Sequence, residues 1–96
     1  SNFMTEFNRR NTEISNYLRD IYKVWEVNLV TTLQRAKTDG YLERHVDSEA
    51  VATYLISSYI GIRTLMVEGN CKALRYQYMQ QLKTYFKSIE HSTLVS

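Results

Sequence analysis

Ninety-six residues with twelve basic and ten acidic side chains carry a net charge of +2, a balance that by itself predicts neither nucleic-acid affinity nor an acidic partner. The length allows one domain at most, spanning residues 1–96, and a chain of this size buries only about two-thirds of its unfolded surface. With no proline, three glycines and eight tyrosines, the composition favours long uninterrupted helices over a sheet broken by turns. The single cysteine, Cys71, excludes an internal disulfide framework and fits a reducing compartment. The start S-N-F-M-T-E-F-N-R-R lacks a leader pattern. The longest uncharged run, residues 50–62, falls short of the roughly 20 residues that span a bilayer, so a soluble chain is expected.

In chain order, Phe3, Met4 and Phe7 suggest one short helical turn. Arg9-Arg10-Asn11-Thr12 reads as a break, with Asn11 or Thr12 capping the next helix. From residue 12 to about 39, Ile14, Leu18, Ile21, Trp25, Leu29, Leu33 and Ala36 recur at threes and fours, the period of a helix with one buried stripe. Asn28 and Thr32 interrupt that stripe with polar atoms that need partners. Gly40 supplies a helix stop that is free to adopt positive φ, and Tyr41 is expected to fold back on Ala36.

After a short connection, Asp47 caps a central helix over residues 47–69, with Glu49 adding favourable charge to its first turn. This helix is apolar nearly all round. Val51, Leu55, Tyr59, Ile62, Leu65 and Met66 gather on one side, and Ile56, Ile60 and Val67 fall on the other with Thr53 and Arg63. A helix dry on both sides is buried on both, and in so short a chain the second cover is expected to come from another molecule. Gly69-Asn70 places a stop beside a cap, so the last helix, residues 71–90, returns antiparallel with Leu74, Tyr78, Leu82, Tyr85, Phe86 and Ile89 on a broad stripe. Residues 91–96 are expected to fray. The predicted fold is therefore all-α, an antiparallel helical bundle of one short and three long helices.

Trp25, L-Q-R-A-K-T-D-G-Y-L at 33–42, D-S-E-A-V-A at 47–52 and Y-I-G-I at 59–62 together resemble the C-terminal domain of TetR-type transcriptional regulators. The shared features are a long helix ending in Ala and Gly, a short loop, an acidic cap, a small-residue helix start and a mid-helix glycine. The resemblance covers nearly the whole chain, although it consists of structural punctuation with no catalytic signature. It implies that the chain is the rear part of a bacterial, cytoplasmic regulator, a repressor in the usual case, without the helix-turn-helix domain through which such proteins bind DNA. It also implies a homodimer formed by the last two helices as a four-helix bundle. A small-molecule effector would bind among the earlier helices, altering dimer geometry and releasing DNA.

The candidate dimer contacts are Ile56, Ile60, Arg63 and Val67 with Tyr78, Leu82 and Tyr85, and Gly61 would permit close approach of a neighbouring helix. The candidate effector-binding residues are Tyr22, Trp25, Asn28, Thr32 and Ser58, where polar atoms interrupt dry faces. Their structural alternative is that Trp25 lies in the core and Asn28 bonds internally. His45, Asp47 and Glu49 fit a helix cap better than a metal site. Lys72, Lys83 and Lys87 around Tyr76 and Gln80 fit a solvated face better than a nucleic-acid or membrane contact. Cys71 is expected to be a buried structural residue, the alternative being redox sensing. No cofactor motif and no nucleophile arrangement suggests an enzyme. A helical interaction module with no small-molecule sensing is the rival reading.

Overall fold

The computed structural model describes residues 2–91. Three helices succeed one another, α1 (Asn2–Thr38), α2 (Ser48–Glu68) and α3 (Cys71–Ile89). The helical character, the two interhelical connections and the caps at Asp47 and Asn70 agree with the sequence. Of residues 91–96, expected to fray, His91 is instead held by its N–H, which donates to the Tyr41 carbonyl at 2.9 Å, and residues 92–96 lie outside the described residues.

The expected short first helix and the break after it are absent, because α1 runs unbroken through Arg9-Arg10-Asn11-Thr12. The reason is local. None of these residues removes a backbone donor, none adopts left-handed φ, and Glu6 pairs with Arg9 and Arg10 while Arg9 reaches Glu13. Ion pairs three and four residues apart support a helix. Thr12, read as a possible cap, instead donates its hydroxyl to the Asn8 carbonyl at 3.0 Å. At 37 residues, α1 is roughly 55 Å long.

Gly40 ends α1 with φ at 85°. The Gly40 N–H donates to the Lys37 carbonyl at 3.1 Å and the Tyr41 N–H to Ala36 at 2.9 Å, the paired bonds of a Schellman motif. The Tyr41 backbone therefore folds back on Ala36 as expected, although its ring stays exposed. Lys37 also leaves the helix end, donating from Nζ to the Val46 carbonyl at 2.7 Å. Asp47 Oδ1 accepts the Ala50 N–H at 3.1 Å and Asn70 Oδ1 the Ala73 N–H at 3.2 Å, so each side chain satisfies an orphan donor of the helix it starts. Gly69 closes α2 in an extended conformation, without using left-handed backbone.

The core lies at one end. Leu33, Leu42, Val46, Val51 and Ala52 are buried together, with Leu29, Val30, Ala36, Leu55, Tyr85 and Ile89 packed around them. A feature with no sequence signal closes this end. Leu42 and Glu90 form an antiparallel bridge, in which Glu43 N–H donates to Ile89 O and His91 N–H to Tyr41 O. The loop after α1 is thereby tied to the end of α3.

Elsewhere the chain is open. α2 packs on both α1 and α3, which make no close backbone approach to each other. The extents are 68 × 33 × 14 Å, and the smallest is little more than one helix diameter of about 10–12 Å. The radius of gyration is 18.2 Å, against about 12.5 Å for a compact chain of this length. The accessible surface is 7817 Å², whereas a folded monomer of this mass exposes about 5,800 Å². The protein is thus a single layer of helices with an excess of about 2,000 Å² of surface.

By length and composition α2 could cross a membrane, with a mean hydropathy of 1.4 over a window of the helix. The uncharged run of residues 50–62 is only part of that helix, which also carries Glu49, Arg63 and Glu68, and the core helix of a soluble protein passes the same test of length and composition. An apolar helix is also what a central position between two packed neighbours requires.

Candidate functional site

The open surface on α2 divides into two regions, one on either side of its contact with α3. The first is a groove of about 290 Å³ lined by Tyr54, Ser58, Gly61, Leu65, Tyr78 and Gln81, among others. Tyr54, Ser58, Gly61 and Leu65 are spaced four, three and four residues apart and so form one row along the helix. An added Cβ at Gly61 would meet nothing within 4 Å. The smallest side chain in this row therefore faces open space and no neighbour within the chain. Ser58 Oγ and the Tyr78 hydroxyl lie 2.9 Å apart, joining α2 to α3 across the groove, while Ser58 also donates to the Leu55 carbonyl. At the core end of this edge the Tyr54 and Tyr85 rings sit with centroids 4.7 Å apart. Burial, and then the neighbouring Tyr54, push the Tyr85 phenol above its ordinary pKa.

The second region faces the crossing with α1. Trp25 and Leu29 of α1 and Leu55, Ile56 and Tyr59 of α2 line a cleft of about 290 Å³. Trp25 continues into a second cleft, of about 460 Å³, with Ile60, Arg63, Thr64 and Val67. A third, of about 450 Å³, lies between α2 and α3 and is lined by residues that include Ile62, Arg63, Met66, Arg75, Met79 and Phe86. Tyr59 lines all three.

The predicted effector residues are divided between these regions. Trp25 is 46% exposed at the mouth of two clefts. Tyr22 lies one turn away from it and is half-buried. Asn28 and Thr32 are exposed on the flank of α1 that α2 leaves uncovered, and Thr32 spends its hydroxyl on the Asn28 carbonyl at 3.0 Å. Ser58 is not brought to Trp25, since it lies in the groove with Gly61.

Among the candidate dimer contacts, Ile56 is only 6% exposed. It is covered from within the chain, because α1 crosses α2 there, and it has little surface to offer a second copy. Ile60, Arg63 and Val67 lie exposed beside Trp25. Tyr78 and Leu82 line the Gly61 groove, while Tyr85 packs at its core end.

Cys71, expected to be buried, is exposed, because it starts α3 at the open end of the hairpin; its thiol donates to the Met66 carbonyl at 3.1 Å. Among the described residues no three His, Cys, Asp or Glu side chains gather into a metal-binding group. Sequence reasoning misses Tyr59 and Arg75 as cleft residues. The helical angle of Tyr59 matches that of Leu55 and groups it with the chain's own core, and angle alone does not show where a neighbouring helix stops.

These features define a class: a one-layer helical domain with an open helix-hairpin face and separate apolar clefts beside its central helix. The family model for the "Tetracyclin repressor-like, C-terminal domain" matches residues 1–80. The chain therefore belongs to the TetR-like C-terminal domain family. No curated protein and no solved structure matches it.

Proposed function

We propose that this chain is the effector-binding and homodimerisation domain of a TetR-type transcriptional regulator, a cytoplasmic bacterial repressor without enzymatic activity or a membrane attachment. DNA would be held by a helix-turn-helix domain outside residues 1–96. A small molecule bound beside α2 would change the dimer geometry and release the operator.

The observation that carries this reading is the single helical layer with its excess surface of about 2,000 Å². A dimer interface of standard size removes about 800 Å² per partner. That accounts for one region of α2 and leaves the clefts beside Trp25 and Tyr59 for an effector. The Gly61 groove suits the dimer, since an exposed glycine in a row with Ser58 lets a second helix come close. Tyr78 and Leu82 would share that contact, with Tyr85 at its edge. Of the effector candidates on α1, Trp25 lines these clefts and Tyr22 lies one turn from it, whereas Asn28 and Thr32 sit on the flank that α2 leaves uncovered. α2 touches both regions, so a shift at Tyr59 would move the backbone that presents Gly61.

Sedimentation at low micromolar concentration tests the assembly, with a mass twice 11.4 kDa expected. A Cβ added at Gly61 would meet no atom within 4 Å, and Gly61→Leu improves helix propensity. Its expected effect is nevertheless a weakening of dimerisation by on the order of tenfold or more, through overpacking against the second copy. A wild-type chain that stays monomeric throughout would overturn the reading.

A further inference from the structure

The cleft between α2 and α3 combines an apolar floor with two cations. Leu55, Ile62, Met66, Met79, Leu82 and Phe86 contribute hydrocarbon, thioether and ring surface, and Arg63 and Arg75 belong to the same lining. One arginine comes from each helix. No aspartate or glutamate lines the cleft, and among the described residues neither arginine side chain takes part in an ion pair or hydrogen bond.

We propose that this cleft binds an apolar monocarboxylate, with the hydrocarbon body against α2 and α3 and the carboxylate held by Arg63 and Arg75. The proposal rests on the reading of the chain as an effector-binding domain and names the chemical class of the effector. Three observations lead to it. A volume of about 450 Å³ falls within the roughly 300–1,000 Å³ of small-ligand sites. Guanidinium groups match a carboxylate with two parallel N–H donors, the stronger kind of charged hydrogen bond. Met66 and Met79 are flexible thioethers that adapt to an irregular chain, so length discrimination is expected to be loose. The Tyr78 hydroxyl, also in the lining, is already engaged by Ser58, which leaves the charge of the arginines to set the headgroup preference.

The test uses calorimetric titration of the purified chain with decanoate, and with decanol as a neutral compound of the same length. Decanoate is expected to bind, and decanol on the order of tenfold more weakly or worse. In the double variant Arg63→Gln/Arg75→Gln, decanoate should lose that advantage while decanol is unchanged. Both arginines are exposed, and an unchanged helical circular dichroism signal verifies that the variant folds. Equal binding of the two compounds, no binding of either, or full decanoate affinity in the double variant overturns the proposal. So does a weakened dimer in the double variant without ligand, which would make the cleft an interface between copies. Sedimentation of the same samples separates the two readings. A wild-type dimer indifferent to decanoate removes only the ligand class, whereas a monomer removes the regulatory reading on which it rests.

Discussion

The two ends of this molecule are built on opposite principles. At one end, Leu33, Leu42, Val46, Val51 and Ala52 are sealed by the loop after α1 and by the bridge to Glu90. At the other, Phe3, Phe7, Ile14 and Leu18 on α1 and Leu65 and Val67 on α2 remain exposed, Val67 at 84%. Both ends are similarly apolar in sequence. The closed end has three segments converging on it, whereas the open end has helices lying side by side with nothing above or below. Stability within the chain therefore resides at the first end, and the capacity to bind at the second.

The largest effect that would sharpen this contrast is expected at Leu33. Leu33→Ala removes a buried side chain from the sealed core and should cost about 3 kcal/mol, read as a lowered urea midpoint. An equivalent truncation at the exposed Leu65 should leave the stability of the monomer within about 0.5 kcal/mol. Equal losses at the two sites would show that the open end is as well packed as the closed one.

The glycines provide the next comparison. Gly40→Ala places a Cβ on left-handed backbone and should cost about 1–2 kcal/mol. Gly69→Ala is expected to be nearly neutral, because Gly69 is extended and its added Cβ would meet Leu65 O and Leu74 Cδ1 at an ordinary 3.6 Å. Thermal melting of the two variants distinguishes a turn that holds the closed end from one that only joins the hairpin.

A smaller effect is expected at the start of α2. Asp47→Ala removes the cap on Ala50 and should cost about 1 kcal/mol. The neighbouring Ser48→Ala should be neutral or slightly stabilising, since the buried Ser48 Oγ has no hydrogen-bond partner among the described residues and no bond is lost with it. Chemical denaturation of both variants in one buffer tests the pair, and a larger loss at Ser48 would contradict it.

The smallest effect is a pH dependence at the boundary between the two ends. The Tyr85 phenol is raised by burial and by Tyr54, so the folded state favours its protonated, neutral form. The stability it contributes is complete below the ordinary tyrosine pKa and is lost as pH rises through the raised folded value. Urea midpoints at about pH 9 and about pH 11 should fall less in Tyr85→Phe than in the wild type. An identical fall would assign the alkaline loss to other groups.

Much of the fold was legible because its signals are local. Asp47 and Asn70 cap the helices they precede, Gly40 takes the positive φ its position suggests, and the family resemblance carried by residues 33–42 and 47–52 places a helix end and a helix start where both occur. The break expected at residues 9–12 fails for an equally local reason: polar residues permit a cap but do not compel one, and Glu6, Arg9 and Glu13 support a continuous helix. The candidate sites were less legible. Helical angle groups Ile56 with Ile60, Arg63 and Val67, yet α1 crosses at Ile56 and covers it while leaving the others open.

The sequence by itself determined the three long helices and where the last two begin, though with an extra short helix before them, and the surplus of apolar surface on α2. These depend on hydrogen bonds and periodicities within a few residues. Only the tertiary structure decided which apolar surface is spent inside the chain. The crossing of α1 over α2, the bridge between Leu42 and Glu90, and the separation of Ser58 from Trp25 all depend on residues far apart in sequence. Their placement is set by how whole helices pack, which no local pattern encodes.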